Sequence, residues 1–170
     1  MVDMDERSFS RVVEEYSARF YAVAWRLLGN QADAEDAVQR ALTNCFAARA
    51  AYSPRWPLST WLYRALTNVC LDELRRRRVR AEHAEAAAPP RAVGTLDVES
   101  VDLRRALERV PREARVLLAL RYVDGLSYFE LARIRGISVN TVKSQLARGK
   151  TILRQTLDLP DGRSARRRPR

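Results

Sequence analysis

Histidine is nearly missing from this chain, with one in 170 residues, and cysteine occurs only twice. Glycine is scarce at six residues, and lysine numbers two against 29 arginines. Each shortage excludes something. One imidazole and no cluster of acids leave no acid–base or nucleophile–base constellation, so an enzyme acting on nucleic acid is not expected. The glycines form no loop of the kind that cradles a phosphate. Cys45 and Cys70 fall on apolar helical positions, and neither has a second cysteine at ligand spacing. A zinc site shared with His83 is the alternative to two reduced core thiols in a cytosolic protein; the thiols are the expectation, with no metal and no cofactor. Apolar runs fall far short of the roughly 20 residues a membrane span needs, so no membrane insertion is expected. The opening "MVDMDERSFS" is acidic and polar, unlike a signal peptide.

What is present is arginine, alanine and helical periodicity. Net charge is +10 and apolar residues make up 46% of the chain, enough for a core. Arginine and alanine also accumulate in GC-rich genomes, so their abundance alone assigns nothing. Their placement says more. Residues 1–78 carry 12 basic and 10 acidic groups, residues 79–100 carry 2 and 4, and residues 101–170 carry 17 and 7. The whole excess lies in the C-terminal part, which favours a polyanion as partner.

No segment reads as a strand. Phe9, Val12, Val13, Tyr16, Phe20, Val23 and Leu27 share one helical face, and Gly29-Asn30 ends that helix. Asp33 is expected to cap a second helix with stripe Ala34, Val38, Ala41, Leu42, Cys45 and Phe46. The prolines of "YSPRWPLS" break it. Ser59 is expected to cap a third helix, running to about Arg78, that buries Leu62, Ala65, Leu66, Val69 and Leu74. From Val79 to Leu96 periodicity is lost and Pro89-Pro90 forbids a continuous helix; this reads as a flexible linker able to span roughly 60 Å at about 3.3 Å per residue. Beyond it, Val98, Val101, Leu103, Leu107 and Val110 mark a helix, Pro111 suits the first position of the next, and Gly125 ends that one. The expected fold is all-α: two small helical domains at 1–78 and 97–158, joined by the linker 79–96 and followed by a basic disordered tail at 159–170.

The stretch "LSYFELARIRGISVNTVKSQLARGK" has the spacing of a helix-turn-helix. Ser127 and Glu130 form a capping box, Ala132 is small where two helices meet, Gly136 suits a left-handed turn, and Val142 anchors the second helix. That helix exposes Asn140, Thr141, Lys143, Ser144, Ala147 and Arg148, compact polar and cationic groups suited to a major groove. An ordinary amphipathic helical pair could share the spacing. The tail arginines Arg163 and Arg166 to Arg168 add either phosphate attraction or mere solubility. In the N-terminal half, Arg64, Asn68, Asp72 and Arg75 recur on one face of the third helix beside "YSPRWP". Arginine and aromatic planes can hold unstacked bases. Trp56 and Trp61 could equally be packing residues, and "RRRR" at 75–78 a solvated helix end.

"YAVAWRLLGNQADAEDAVQRAL" followed by "STWLYRALTNVCLDELRRRR" resembles the second conserved region of bacterial sigma factors of the extracytoplasmic-function (ECF) group. "LERVPREARVLLALRYVDGLSYFELARIRGISVNTVKSQLARGK" resembles their fourth region. The resemblance spans roughly residues 7–157. It implies a cytoplasmic, non-enzymatic subunit that binds core RNA polymerase and promoter DNA, is held by an anti-sigma factor and takes no small-molecule substrate. By resemblance, Asp33, Glu35, Asp36 and Gln39 dock on the polymerase clamp; Arg40 stands where relatives usually carry an acid. The −10 element falls to Arg55, Trp56, Arg64, Asn68, Asp72, Arg75 and Arg76, with Asn68 at the base-reading position and the loop from Tyr52 to Pro57 as pocket for a flipped base. The −35 element falls to the six residues of the second helix named above. A free-standing helix-turn-helix regulator is the alternative.

Overall fold

The computed structural model describes residues 5–83 and 98–157. The later part of the expected linker and the basic tail lie outside these residues. Among the described residues there are seven α-helices, one 3-10 turn and no strand.

Helix α1 (Glu6–Leu28) is capped by Asp5, whose carboxylate accepts from the Ser8 amide. It ends at Gly29 in the left-handed conformation, φ 74°, with the Gly29 amide on the Trp25 carbonyl. A Cβ there would sit 3.0 Å from Arg104 Cδ in a conformation that side chains resist. The second helix, α2 (Gln31–Ala47), is capped by Asn30 rather than Asp33. The Asn30 side-chain oxygen accepts from the Asp33 amide at 2.9 Å, so the cap lies three residues earlier than the acid pattern suggested. After the 3-10 turn Arg49–Ala51 comes α3 (Leu58–His83). It starts on the Pro57 carbonyl, which accepts from Thr60, so Ser59 lies inside the helix and does not cap it. It also runs on to His83, past the expected end near Arg78, because arginine and alanine sustain a helix that periodicity alone does not mark.

These three helices form one bundle. Phe20, Val23, Leu62, Leu66 and Ala41 are fully buried in it, and the Phe20 and Tyr63 rings meet at 5.1 Å. The expected stripes are inside, with Val13, Val38, Phe46, Ala65 and Leu74 half-buried at their margins.

The second bundle comprises α4 (Val98–Arg109), α5 (Arg112–Tyr122), α6 (Tyr128–Arg135) and α7 (Val139–Thr156). Pro111 stands at the cap of α5, one place before the expected position. Arg115 is buried at the α4–α5 corner, where its Nη2 donates to the carbonyls of Glu108 and Val110. Burial pulls its guanidinium below the ordinary arginine range. Helix α7 crosses α5 at Gly149, where a Cβ would meet Leu118 Cδ1 at 2.9 Å.

The buried apolar residues of the two bundles form one continuous core, and polar side chains bridge them as well. Arg19 donates to both carboxylate oxygens of Asp124, at 2.7 and 3.1 Å, and the Tyr63 hydroxyl donates to Asp124 as well. Arg104 reaches the Gly29 carbonyl at 3.5 Å.

Candidate nucleic-acid interface

Local sequence builds the helix-turn-helix. Ser127 accepts from the Glu130 amide while Glu130 Oε2 accepts from the Ser127 amide at 2.7 Å, so both halves of the capping box form. Ser127 holds the Glu130 carboxyl below its usual range. Gly136 closes α6 at φ 66°, and Ser138 caps α7 by accepting from Thr141. Ala132 is buried at the helix crossing, and Val142 and Leu146 anchor α7. One face of α7 is thereby turned outward. Asn140, Lys143, Ser144, Ala147 and Arg148 are exposed, and Thr141 is half-exposed. Two of these are engaged within the helix: the Thr141 hydroxyl lies 2.8 Å from Ser138 Oγ, and Ser144 donates to the Thr141 carbonyl. Asn140 in the first turn of α7, Lys143 in the next and Arg148 farther along are the polar groups left to reach outward.

The N-terminal set lies on α3 and the loop before it. That loop is ordered by its own bonds: the Tyr52 hydroxyl donates to the Trp56 carbonyl at 2.9 Å, and the Tyr52 and Trp61 rings meet at 5.3 Å. Trp56 is 51% exposed and Trp61 half-buried, so one tryptophan packs and the other is presented. Tyr52, Trp56, Trp61 and Arg64 line a pocket of about 150 Å³, and Arg133 of α6 forms its far wall. Arg55 is exposed at the loop's tip. Along α3, Asp72 pairs with Arg75 at 3.1 Å and Arg76 lies 4.0 Å from Glu73. Arg64 and Asn68 are exposed by area, yet neither is free. Arg64 donates to the Ile134 and Arg133 carbonyls at 3.2 and 3.0 Å, and Asn68 Oδ1 accepts from Arg135 at 3.4 Å.

The acids of α2 divide. Glu35, Asp36 and Gln39 are exposed; Glu35 accepts from Gln31, and Asp36 pairs with Arg40 at 3.3 Å. Asp33 is half-buried and takes hydrogen bonds from Asn30 and Arg77, which joins α2 to α3. Gln39 also borders a wide groove between α1 and α2, floored by Phe9, Leu42 and Phe46. Cys45 and Cys70 are free and buried, and burial pushes their thiols up to about 11 and about 12. His83 sits on the exposed end of α3 against the Val79 carbonyl. Among the described residues no three His, Cys, Asp or Glu side chains are grouped to hold a metal ion.

Comparison with known proteins decides what this arrangement belongs to. The family model for sigma-70 region 2 matches residues 12–80, and that for sigma-70 region 4 matches residues 100–153. The ECF RNA polymerase sigma factor SigM of Mycobacterium tuberculosis is 30% identical, over 90% of this chain and 79% of its own. The chain belongs to the sigma-70 family, in its ECF group. The ECF sigma factor SigW of Bacillus subtilis is 29% identical over 90% of both chains. The ECF sigma factor SigE of Mycolicibacterium smegmatis is 35% identical, although this chain spans only 62% of its length. The fold matches a co-crystal structure of the sigma factor RpoE with the anti-sigma factor NepR from Bartonella quintana, with TM-score 0.71, 25% identity and coverage of 91% and 99%. The match of the N-terminal half to region 2 sets aside the free-standing regulator. No helix among the described residues of this sigma factor is long and apolar enough to cross a membrane.

Sequence reasoning missed four groups at the seam between the bundles: Arg19, Tyr63, Asp124 and Arg135. Tyr63 lies between Leu62 and Arg64 and Asp124 just before Gly125, where local spacing singles out neither. Burial and the Asp124 hydrogen bond push the Tyr63 phenol well above its ordinary value, so it remains a donor.

Proposed function

We propose that this ECF sigma factor, which directs RNA polymerase to promoters, divides the work as follows. Asn140, Lys143 and Arg148 on α7 read and hold the −35 element, with Thr141, Ser144 and Ala147 filling the surface between them. Asn68 reads the −10 element, and the pocket of Tyr52, Trp56 and Trp61 receives a base turned out of the stack. Arg55, Arg64, Arg75 and Arg76 meet backbone phosphates, with Asp72 orienting Arg75. Glu35, Asp36 and Gln39 form the exposed polymerase-docking face; Asp33 supports it from behind, and Arg40 reduces its charge by pairing with Asp36. The observation that carries the division is the outward face of α7 combined with the aromatic pocket that Arg64 lines, one turn before Asn68 on α3.

Each module is small, and neither is expected to hold a promoter without polymerase. Bond-forming chemistry then belongs to the polymerase, and the sigma factor works in the cytoplasm with no cofactor. Control by an anti-sigma factor fits the same reading, since a structural neighbour, the sigma factor RpoE, is captured with the anti-sigma factor NepR. Run-off transcription with core polymerase, with and without this protein, tests the proposal. Specific transcripts are expected only with it. Footprinting of a palindrome by the free protein, with no gain in promoter specificity by the polymerase, would sink it.

A further inference from the structure

Helices α4, α5 and α7 converge without closing completely. A cavity of about 260 Å³ remains among them, walled by Leu103, Leu107, Leu118 and Leu153. Ala119 also lines it, and Tyr122, 59% exposed, stands at its edge. Branched aliphatic walls suit an alkyl chain better than a planar ring, which is held best by aromatic faces. The space falls short of the roughly 300–1,000 Å³ of a drug-sized site, so its occupant has to be small. Three cations line it too, Arg26 from α1, Arg115 and Lys150, and no carboxylate does. None of these residues has been given a part in promoter or polymerase contact.

The charge on Arg115 lacks a counterpart. The residue is 8% exposed. Its Nη2 is taken by the Glu108 and Val110 carbonyls, and its buried Nε has no partner. Among the described residues no carboxylate forms an ion pair with Arg26, Arg115 or Lys150. Glu108 acts on Arg115 only from a distance, and burial outweighs it. A buried cation without a counter-charge is costly, and a bound anion lowers that cost. The other two cations lie nearer solvent. Arg26 is exposed, and Lys150 is half-buried with its ammonium 5.1 Å from the centre of the Tyr122 ring. We propose that this cavity binds a small amphipathic anion, a medium-chain alkyl carboxylate: the chain fills the space between the leucines, and the carboxylate takes Lys150 and Arg26 as partners beside the buried Arg115 charge. Bound there, it ties α4, α5 and α7 together and stabilises the second bundle by mass action.

Titration of the full chain with sodium octanoate, followed by amide chemical shifts, tests this. Octanol and octylammonium, which share the chain and change only the head group, are the controls. Octanoate should bind with a Kd on the order of 0.1–1 mM, and the shifts should gather on α4, α5 and α7. Both controls should bind at least about tenfold more weakly, because the anionic head is what the cations select. Octanol binding as tightly as octanoate would mean a neutral crevice, one that takes any apolar group, and would overturn the proposal. So would octanoate shifts scattered over the arginine-rich surface, which would mean unspecific ion pairing. Arg115 also closes the α4–α5 corner, so the variants are placed elsewhere. Lys150→Met should weaken octanoate about fivefold and leave octanol unchanged. Ala119→Leu fills the cavity and should weaken both. Circular dichroism melting confirms that each variant is folded, and Lys150→Met decides alone if Ala119→Leu is not. Octanoate binding at the parent's affinity in folded Lys150→Met would refute the site.

Discussion

Helix α7 turns Asn140, Lys143 and Arg148 to solvent, whereas on α3 the corresponding residues of the other half, Arg64 and Asn68, are bonded to α6. The two reading faces differ because their helices differ in position. Helix α7 packs chiefly within its own bundle, against α4, α5 and α6, and buries one stripe, Val142, Leu146 and Gly149, which leaves its other face free. Helix α3 is central. It buries Leu62, Leu66 and Val69, and also Tyr63, Thr67, Cys70 and Leu71. A helix that packs chiefly within its own bundle keeps its other face free. One that also meets the second bundle, as α3 meets α5 and α6, has part of its outer face engaged.

The largest effects should come from breaking one half and watching the other. Phe20→Ala removes a fully buried ring from the first bundle and should cost about 3–5 kcal/mol. Amide exchange in α5 to α7 should change less, since packing within each bundle is denser than packing across the seam; equal loss of protection in both would mean the bundles unfold as one. At the recognition face, Lys143→Ala with Arg148→Ala should lower occupancy of −35-dependent promoters at least tenfold and flatten its salt dependence. Binding to core polymerase should persist, and its loss would contradict the division of roles. Within the second bundle, Gly149→Val should cost about 1–3 kcal/mol in thermal or denaturant unfolding, because the α5–α7 crossing leaves little room beside Leu118. A neutral result would show that Leu118 moves aside freely.

The smallest effect concerns the cap that positions the reading helix. Ser127→Ala should destabilise region 4 by about 1 kcal/mol. The Glu130 carboxyl lies lower folded than unfolded, so its contribution is complete above the ordinary carboxylate value of 4.5 and is lost as pH falls through the lowered one. Stability measured from pH 6 down to pH 3 should therefore fall less steeply in Ser127→Ala than in the parent.

Much of this was legible in the residues. The capping box at Ser127 and Glu130, the left-handed glycines 29 and 136 and the stripe from Phe9 to Leu27 all stand where spacing placed them. Asn30 took the cap from Asp33 because either side chain can cap, and spacing cannot choose between neighbours. Gly149 carried a faint signal, a costly residue within a helix of good formers, whose reason lies in the packing partner.

Amphipathic period, caps and turn glycines act over a few residues, so the chain by itself determined the seven helices of the described residues, their two bundles and an outward polar face on α7. The state of the seam between the bundles was decided by tertiary structure. Its bonds join residues 105, 61 and 70 apart, from Arg19 to Asp124, Tyr63 to Asp124 and Arg64 to Ile134. Such pairings leave no period in the sequence, because each depends on where an entire bundle comes to rest against the other.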